Sequence, residues 1–126
     1  MNSIFILAID PLLLESLSEL FNRAGFVVSL FKNPDILLDK LTEEQPSCIL
    51  AEDLSIRATN KKLIENIHSK TPNMPIILMA SGDDISVAVK AIRDGATDFV
   101  QKPIVDRVLV ECVRRTILNL NDSKNS

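Results

Sequence analysis

A chain of 126 residues, 46% of them hydrophobic, is long enough for one core that removes about two-thirds of the unfolded surface from water. The net charge of -3 comes from acids and bases interspersed along the chain, with no basic block to neutralise a phosphate backbone, which argues against direct nucleic-acid binding. No apolar run approaches the roughly 20 residues that span a bilayer, and Met1 to Ile9 lacks the charged start and cleavage site of a signal peptide, so a cytoplasmic, non-membrane protein is expected.

Short apolar runs alternate with longer segments of helical period, the pattern of repeated β-α units around a parallel sheet. The first candidate strand, Ser3 to Ile9, leads into Asp10-Pro11, a capping side chain followed by proline at the first helical position. Leu13, Leu17, Leu20, Phe21 and Ala24 then recur at three- and four-residue spacing, one face of a helix that Gly25 stops. A second strand, Phe26 to Phe31, precedes another cap-proline pair, Asn33-Pro34. The third strand is Ser47 to Glu52, and the fourth is Pro75 to Ala80. Asp83 or Asp84 caps the helix of Ile85, Ala88, Val89 and Ile92, which Gly95 ends. Thr97 to Val100 is the fifth strand, and Val105, Val108, Leu109, Cys112 and Ile117 trace the packing face of the last helix. All five runs are continuously apolar rather than alternating, as expected when helices cover both sheet faces. The reading is a single α/β domain over 1–120, doubly wound around a five-stranded parallel sheet, with 121–126 a polar tail or the start of a linker.

Ligands of such sheets bind at the carboxyl ends of the strands, which selects Ala8 to Asp10, Glu52 to Leu54, Ala80 to Gly82 and Gln101 to Pro103. Asp53 follows the third strand and Lys102 the fifth. Converging there, they make either a phosphoryl acceptor with a charge-stabilising lysine or a structural ion pair. Glu52 reads as a solvated strand-end residue pointing away from Asp53's side. The two cysteines, Cys48 and Cys112, sit in apolar surroundings as buried thiols, and His68 as a solvated helix residue.

The segment "PIILMASGDDISVAVKAIRDGATDFVQKP", Pro75 to Pro103, resembles the second half of a CheY-like response-regulator receiver domain, of the kind attached to transcriptional activators of the NtrC and FixJ type. "DPLLLESL", "AGFVV" and "CILAED" extend the resemblance over nearly the whole chain. It implies a flavodoxin-like sheet in the order 2-1-3-4-5 with five helices, a cis Lys102-Pro103 bond, and two-component phosphorelay signalling in which a histidine kinase or phosphotransfer protein donates a phosphoryl group to an aspartate. By that resemblance Asp53 is the phosphoacceptor candidate, Lys102 the phosphate-stabilising lysine, and Phe99 the aromatic that turns inward on activation.

Several positions depart from the pattern. Receivers place two adjacent acids at the end of the first strand to hold magnesium, and here Ala8 and Ile9 stand on them. Asp10 matches a third acid and reads as an N-cap. The switch hydroxyl at the end of the fourth strand is replaced by Ala80, with Ser81 an imperfect stand-in on the opposite face. Beyond Asp53, Ile56-Arg57 and Lys61 alter the loop over the site. Asp10, Asp53 and Ser55 are a poor ligand set for an ion that demands octahedral oxygen coordination, so neither magnesium nor another cofactor is expected. Without the acid pair, a direct Asp53 to Lys102 contact is the expected resting state.

The expectation is a degenerate, non-enzymatic receiver that signals through protein contacts with weak or no phosphorylation. The alternative is a conventional Asp53-phosphorylated receiver controlling an output domain or partner. An enzyme or nucleotide-binding protein on this fold fares worse, because Gly25, Gly82 and Gly95 form no phosphate cradle after the first strand. A structural interaction domain is the third class. By the resemblance its partner face, and the route to a homodimer, is the fourth helix, fifth strand and fifth helix, with Arg107, Arg114 and Arg115 around it.

Overall fold

The computed structural model describes residues 2–52, 60–81 and 85–125. Among the described residues ten elements alternate: β1 (Ser3–Leu7), α1 (Pro11–Arg23), β2 (Val27–Phe31), α2 (Pro34–Leu41), β3 (Cys48–Glu52), α3 (Asn60–Lys70), β4 (Ile76–Ala80), α4 (Ile85–Arg93), β5 (Asp98–Gln101) and α5 (Asp106–Asn125). The strands form one sheet in the order β2-β1-β3-β4-β5, and every neighbouring pair is parallel. This is the flavodoxin-like arrangement that the resemblance to receivers implies. The Lys102-Pro103 bond is cis.

The period of two along each strand divides the core into two halves. Ile4, Ile6 and Ala8 of the first strand and its exit join Cys48 and Leu50 of β3 and Ile77 and Met79 of β4 on one face, under Leu17 and Phe21 of α1 and Leu109 and Val113 of α5. Phe5, Leu7, Ile49, Ala51, Ile76 and Leu78 point the other way, against Leu37 of α2, Leu63, Ile64 and Ile67 of α3, and Ala91 of α4. Burial on both faces explains the unbroken apolar runs of β1, β3 and β4. The outermost strand β2 is different: Val27 and Leu30 are exposed, because an edge strand is only partly covered by helices.

Local signals act as read. Asp10 Oδ1 accepts from the Leu12 N–H at 3.0 Å and Asn33 Oδ1 from the Asp35 N–H at 2.7 Å, each with proline following the cap. The Asp83 or Asp84 cap lies outside the described residues. Gly25 and Gly95 take φ of +94° and +115° after α1 and α4, where a side chain is strained. At Gly95 a Cβ would also stand 2.9 Å from Ile64 Cγ2, so this turn packs directly on α3.

Two expectations are corrected. Val105 and Val108 are exposed, and the buried stripe of α5 runs through Leu109, Val110, Cys112, Val113 and Ile117. α5 runs as helix to Asn125. His68 is half-buried rather than solvated: its Nε2 donates to the Met74 carbonyl at 3.0 Å, across the turn that joins α3 to β4. Cys48 and Cys112 are both free and buried. Burial lifts the Cys48 thiol to about 12, and burial with a hydrogen bond to Asp98 lifts Cys112 to about 11, so neither carries appreciable thiolate at neutral pH.

Candidate functional site

The carboxyl ends of β1, β3, β4 and β5 meet in the crevice that doubly wound sheets use for ligands. The ladder carries each chain into it in register: Ala8 N donates to Phe31 O at 3.0 Å, and Lys102 N to Ala80 O at 2.8 Å. Glu52 is the last residue of β3 and has the parity of Cys48 and Leu50, the residues on the α1 and α5 side of the sheet. Lys102 has the same parity as Val100, which joins that same side. Both side chains are therefore delivered to one place, and Lys102 Nζ stands 2.6 Å from Glu52 Oε2. The other carboxylate oxygen, Oε1, accepts from the Ile9 N–H at 2.9 Å. Glu52 thus spans the sheet edge, holding the exits of β1 and β5 with its two oxygens.

This corrects the reading of Glu52 as a solvated strand-end residue. Its side chain is 15% exposed and that of Lys102 26%. Asp53 and Ser55, the expected acceptor and a weak metal candidate, lie outside the described residues, as does the expected Asp53 to Lys102 contact. Ala8 is fully buried and Ile9 is exposed, so the two positions that the resemblance sets on the acid pair present a methyl group and a butyl group. Asp10 is engaged as the α1 cap. Ala80 is buried in β4, Ser81 is exposed beside it, and Phe99 is half-buried against the cluster that contains Leu78, Ala91 and Ala96.

Two opposing influences act on Glu52. Burial pushes its pKa up, but the hydrogen bond from Lys102, the bond from Ile9 N–H and the lysine's charge outweigh it and hold the carboxyl below its ordinary 4.5. A carboxyl lowered on folding contributes stability that is present above the unfolded value and is lost as pH falls through the lower folded value. The pair is partly solvated, which places its contribution at about 1–2 kcal/mol, between exposed and buried ion pairs. The stability difference between wild type and Glu52→Gln in urea denaturation is expected to be largest at neutral pH and to close on acidification below 4.5. A difference that did not change with pH would show that the carboxylate charge contributes nothing.

The described residues do not suit a magnesium ion. Ala8 and Ile9 offer no side-chain oxygen, and both oxygens of Glu52 are committed to Lys102 and Ile9. Among the described residues no group of three or more His, Cys, Asp or Glu side chains comes together as a metal site. Among the same residues no helix is long and apolar enough to cross a membrane.

Residues 4–114 match the response regulator receiver domain. FixJ, a transcriptional regulatory protein of Bradyrhizobium diazoefficiens, is 28% identical over 114 residues, covering 90% of this chain and 56% of FixJ. The C4-dicarboxylate transport transcriptional regulatory protein DctD of Rhizobium meliloti is 31% identical over 113 residues, covering 90% of this chain but 25% of DctD. Among solved structures, full-length FixJ from B. japonicum superposes with a TM-score of 0.83 at 25% identity, over 98% of this chain and 61% of that one. NtrX from Brucella abortus superposes with a TM-score of 0.90 at 19% identity, over 98% of this chain and 28% of NtrX, a likeness of fold. The chain thus spans about half or less of the length of these curated relatives. With a doubly wound sheet in the order 2-1-3-4-5, a lysine before a cis proline at the end of β5, and a family match over most of its length, this chain belongs to the response regulator receiver domains of two-component systems.

Proposed function

We propose that this receiver signals through protein-protein contacts with weak or no phosphorylation. The observation that carries the reading is the Glu52 to Lys102 pair at 2.6 Å: the lysine that would neutralise a phosphoryl group already has an anion. Phosphoryl transfer relies on electrostatic stabilisation of the equatorial oxygens, and here Ala8 and Ile9 supply no carboxylate for a metal that would share that work. The module has no catalytic residue of its own in this reading.

Its partners are an output domain, as in the transcriptional regulators it resembles in part, and a histidine kinase or phosphotransfer protein if phosphorylation persists. Exposed Val89 and Ile92 on α4 and Val105 and Val108 around the start of α5 support contacts of the α4-β5-α5 face, including a homodimer. The direct test is incubation with acetyl phosphate or phosphoramidate plus magnesium, read by intact mass. The expected result is an unmodified protein. Efficient modification of Asp53 would establish the conventional receiver in its place.

A further inference from the structure

We infer that Glu52 is a resident anion that keeps Lys102 permanently engaged, joining the exits of β1 and β5 without a transferred phosphoryl group. The inference rests on the signalling mode proposed above and adds the residue that sets the crevice in one arrangement. Its geometric basis is the division of labour between the two oxygens, Oε1 on the Ile9 N–H at 2.9 Å and Oε2 on Lys102 Nζ at 2.6 Å.

A lysine left alone at a sheet edge would have many rotamers, and a backbone N–H in a loop exit would turn to water. One carboxylate removes both freedoms. The reach matters as well as the charge, because the strand ends are separated by the sheet spacing of about 4.8 Å and β3 lies between β1 and β4 rather than beside β5. Lys102 therefore crosses the end of β4 to meet Glu52, and the small residue Ala80 terminates that strand. A glutamate has one methylene more than aspartate with which to hold Ile9 and Lys102 together. Glu52 is a positioning residue here: it acts through Lys102, which leads by the cis bond into Pro103 and then to the exposed Val105 and Val108.

The tie is read locally by amide hydrogen exchange of the Ile9 N–H, with the Ala8 N–H, which donates to Phe31 O at 3.0 Å, as the internal control. In Glu52→Ala, Ile9 protection is expected to fall by about tenfold relative to that of Ala8, and the Lys102 amide signal to shift. Glu52→Asp, which keeps the charge and shortens the reach, is expected to lose protection at Ile9 in the same way. Ile9 exchange within twofold of wild type in both variants would overturn the proposal. If Glu52→Ala does not fold, Glu52→Asp alone decides. Intact-mass phosphorylation of the same wild-type sample separates the two readings: a phosphorylated protein whose Ile9 protection still depends on Glu52 retains the tie and loses the signalling mode proposed above.

Discussion

Ala8→Asp is expected to destabilise the domain by about 3–5 kcal/mol at neutral pH, the cost of an uncompensated buried charge. Ala8 is fully buried among Ile4, Ile6, Leu14 and Leu17. The β1-β3 register pairs Leu7 with Ala51, so the next residues along, Ala8 and Glu52, come side by side at the sheet edge. An aspartate there is both desolvated and next to a like charge, and each effect raises its pKa. The sign follows: a carboxyl raised on folding penalises the folded state once the pH exceeds its unfolded value, so the loss is expected to shrink as the solution is acidified. Ile9→Asp is the control. Ile9 is 51% exposed, and its substitution is expected to stay within about 0.5 kcal/mol. Urea denaturation of the two variants at neutral and acidic pH checks the contrast; an Ala8→Asp protein as stable as Ile9→Asp would mean that the β1 exit is open to water.

Phe21→Ala is expected to destabilise the domain by about 3–5 kcal/mol through lost burial and the cavity left behind. Phe21 is fully buried between the sheet and α1, and its ring meets Phe26 edge-on with centroids 5.4 Å apart. The backbone reinforces the site, since Phe26 N donates to Phe21 O at 2.9 Å where α1 gives way to β2. In a domain of this size the melting temperature is expected to drop by more than about 10 °C. Leu12→Ala, at a position 73% exposed on the same helix, is expected to change stability by less than about 0.5 kcal/mol. Scanning calorimetry or denaturant melts distinguish the two; equal effects would mean that α1 does not pack through Phe21.

The difference between these two helical positions was readable in the three- and four-residue spacing of Leu17, Phe21 and Ala24, and the caps at Asp10 and Asn33 were readable because capping is local chemistry. The face of α5 was harder. Val105, Val108, Leu109 and Cys112 suit one helical stripe as well as Leu109, Val110, Cys112 and Val113 do, and the choice between them depends on how the helix is rotated against β3 and its neighbours. For His68 the decisive group is the Met74 carbonyl, which no side-chain pattern reveals.

The residue at the centre of the crevice shows the same limit in a sharper form. "CILAED" offers two adjacent acids, and a run buried on both faces carries no alternation to say which acid faces which helix layer. The register of β3 against β1 and β4 settles it for Glu52: with Cys48 and Leu50 under α1 and α5, Glu52 follows them and reaches Ile9 and Lys102.

By itself, then, the order of apolar runs, caps, prolines and glycines determined a doubly wound α/β domain and the residues at its sheet edge, and the resemblance of its motifs to receivers implied the strand order and set Ala8 and Ile9 where an acid pair is expected. Only the tertiary structure decided that Lys102 is held by Glu52, because an ion pair between residues at the ends of two non-adjacent strands depends on strand order, parity and reach, three quantities that exist once the sheet has formed.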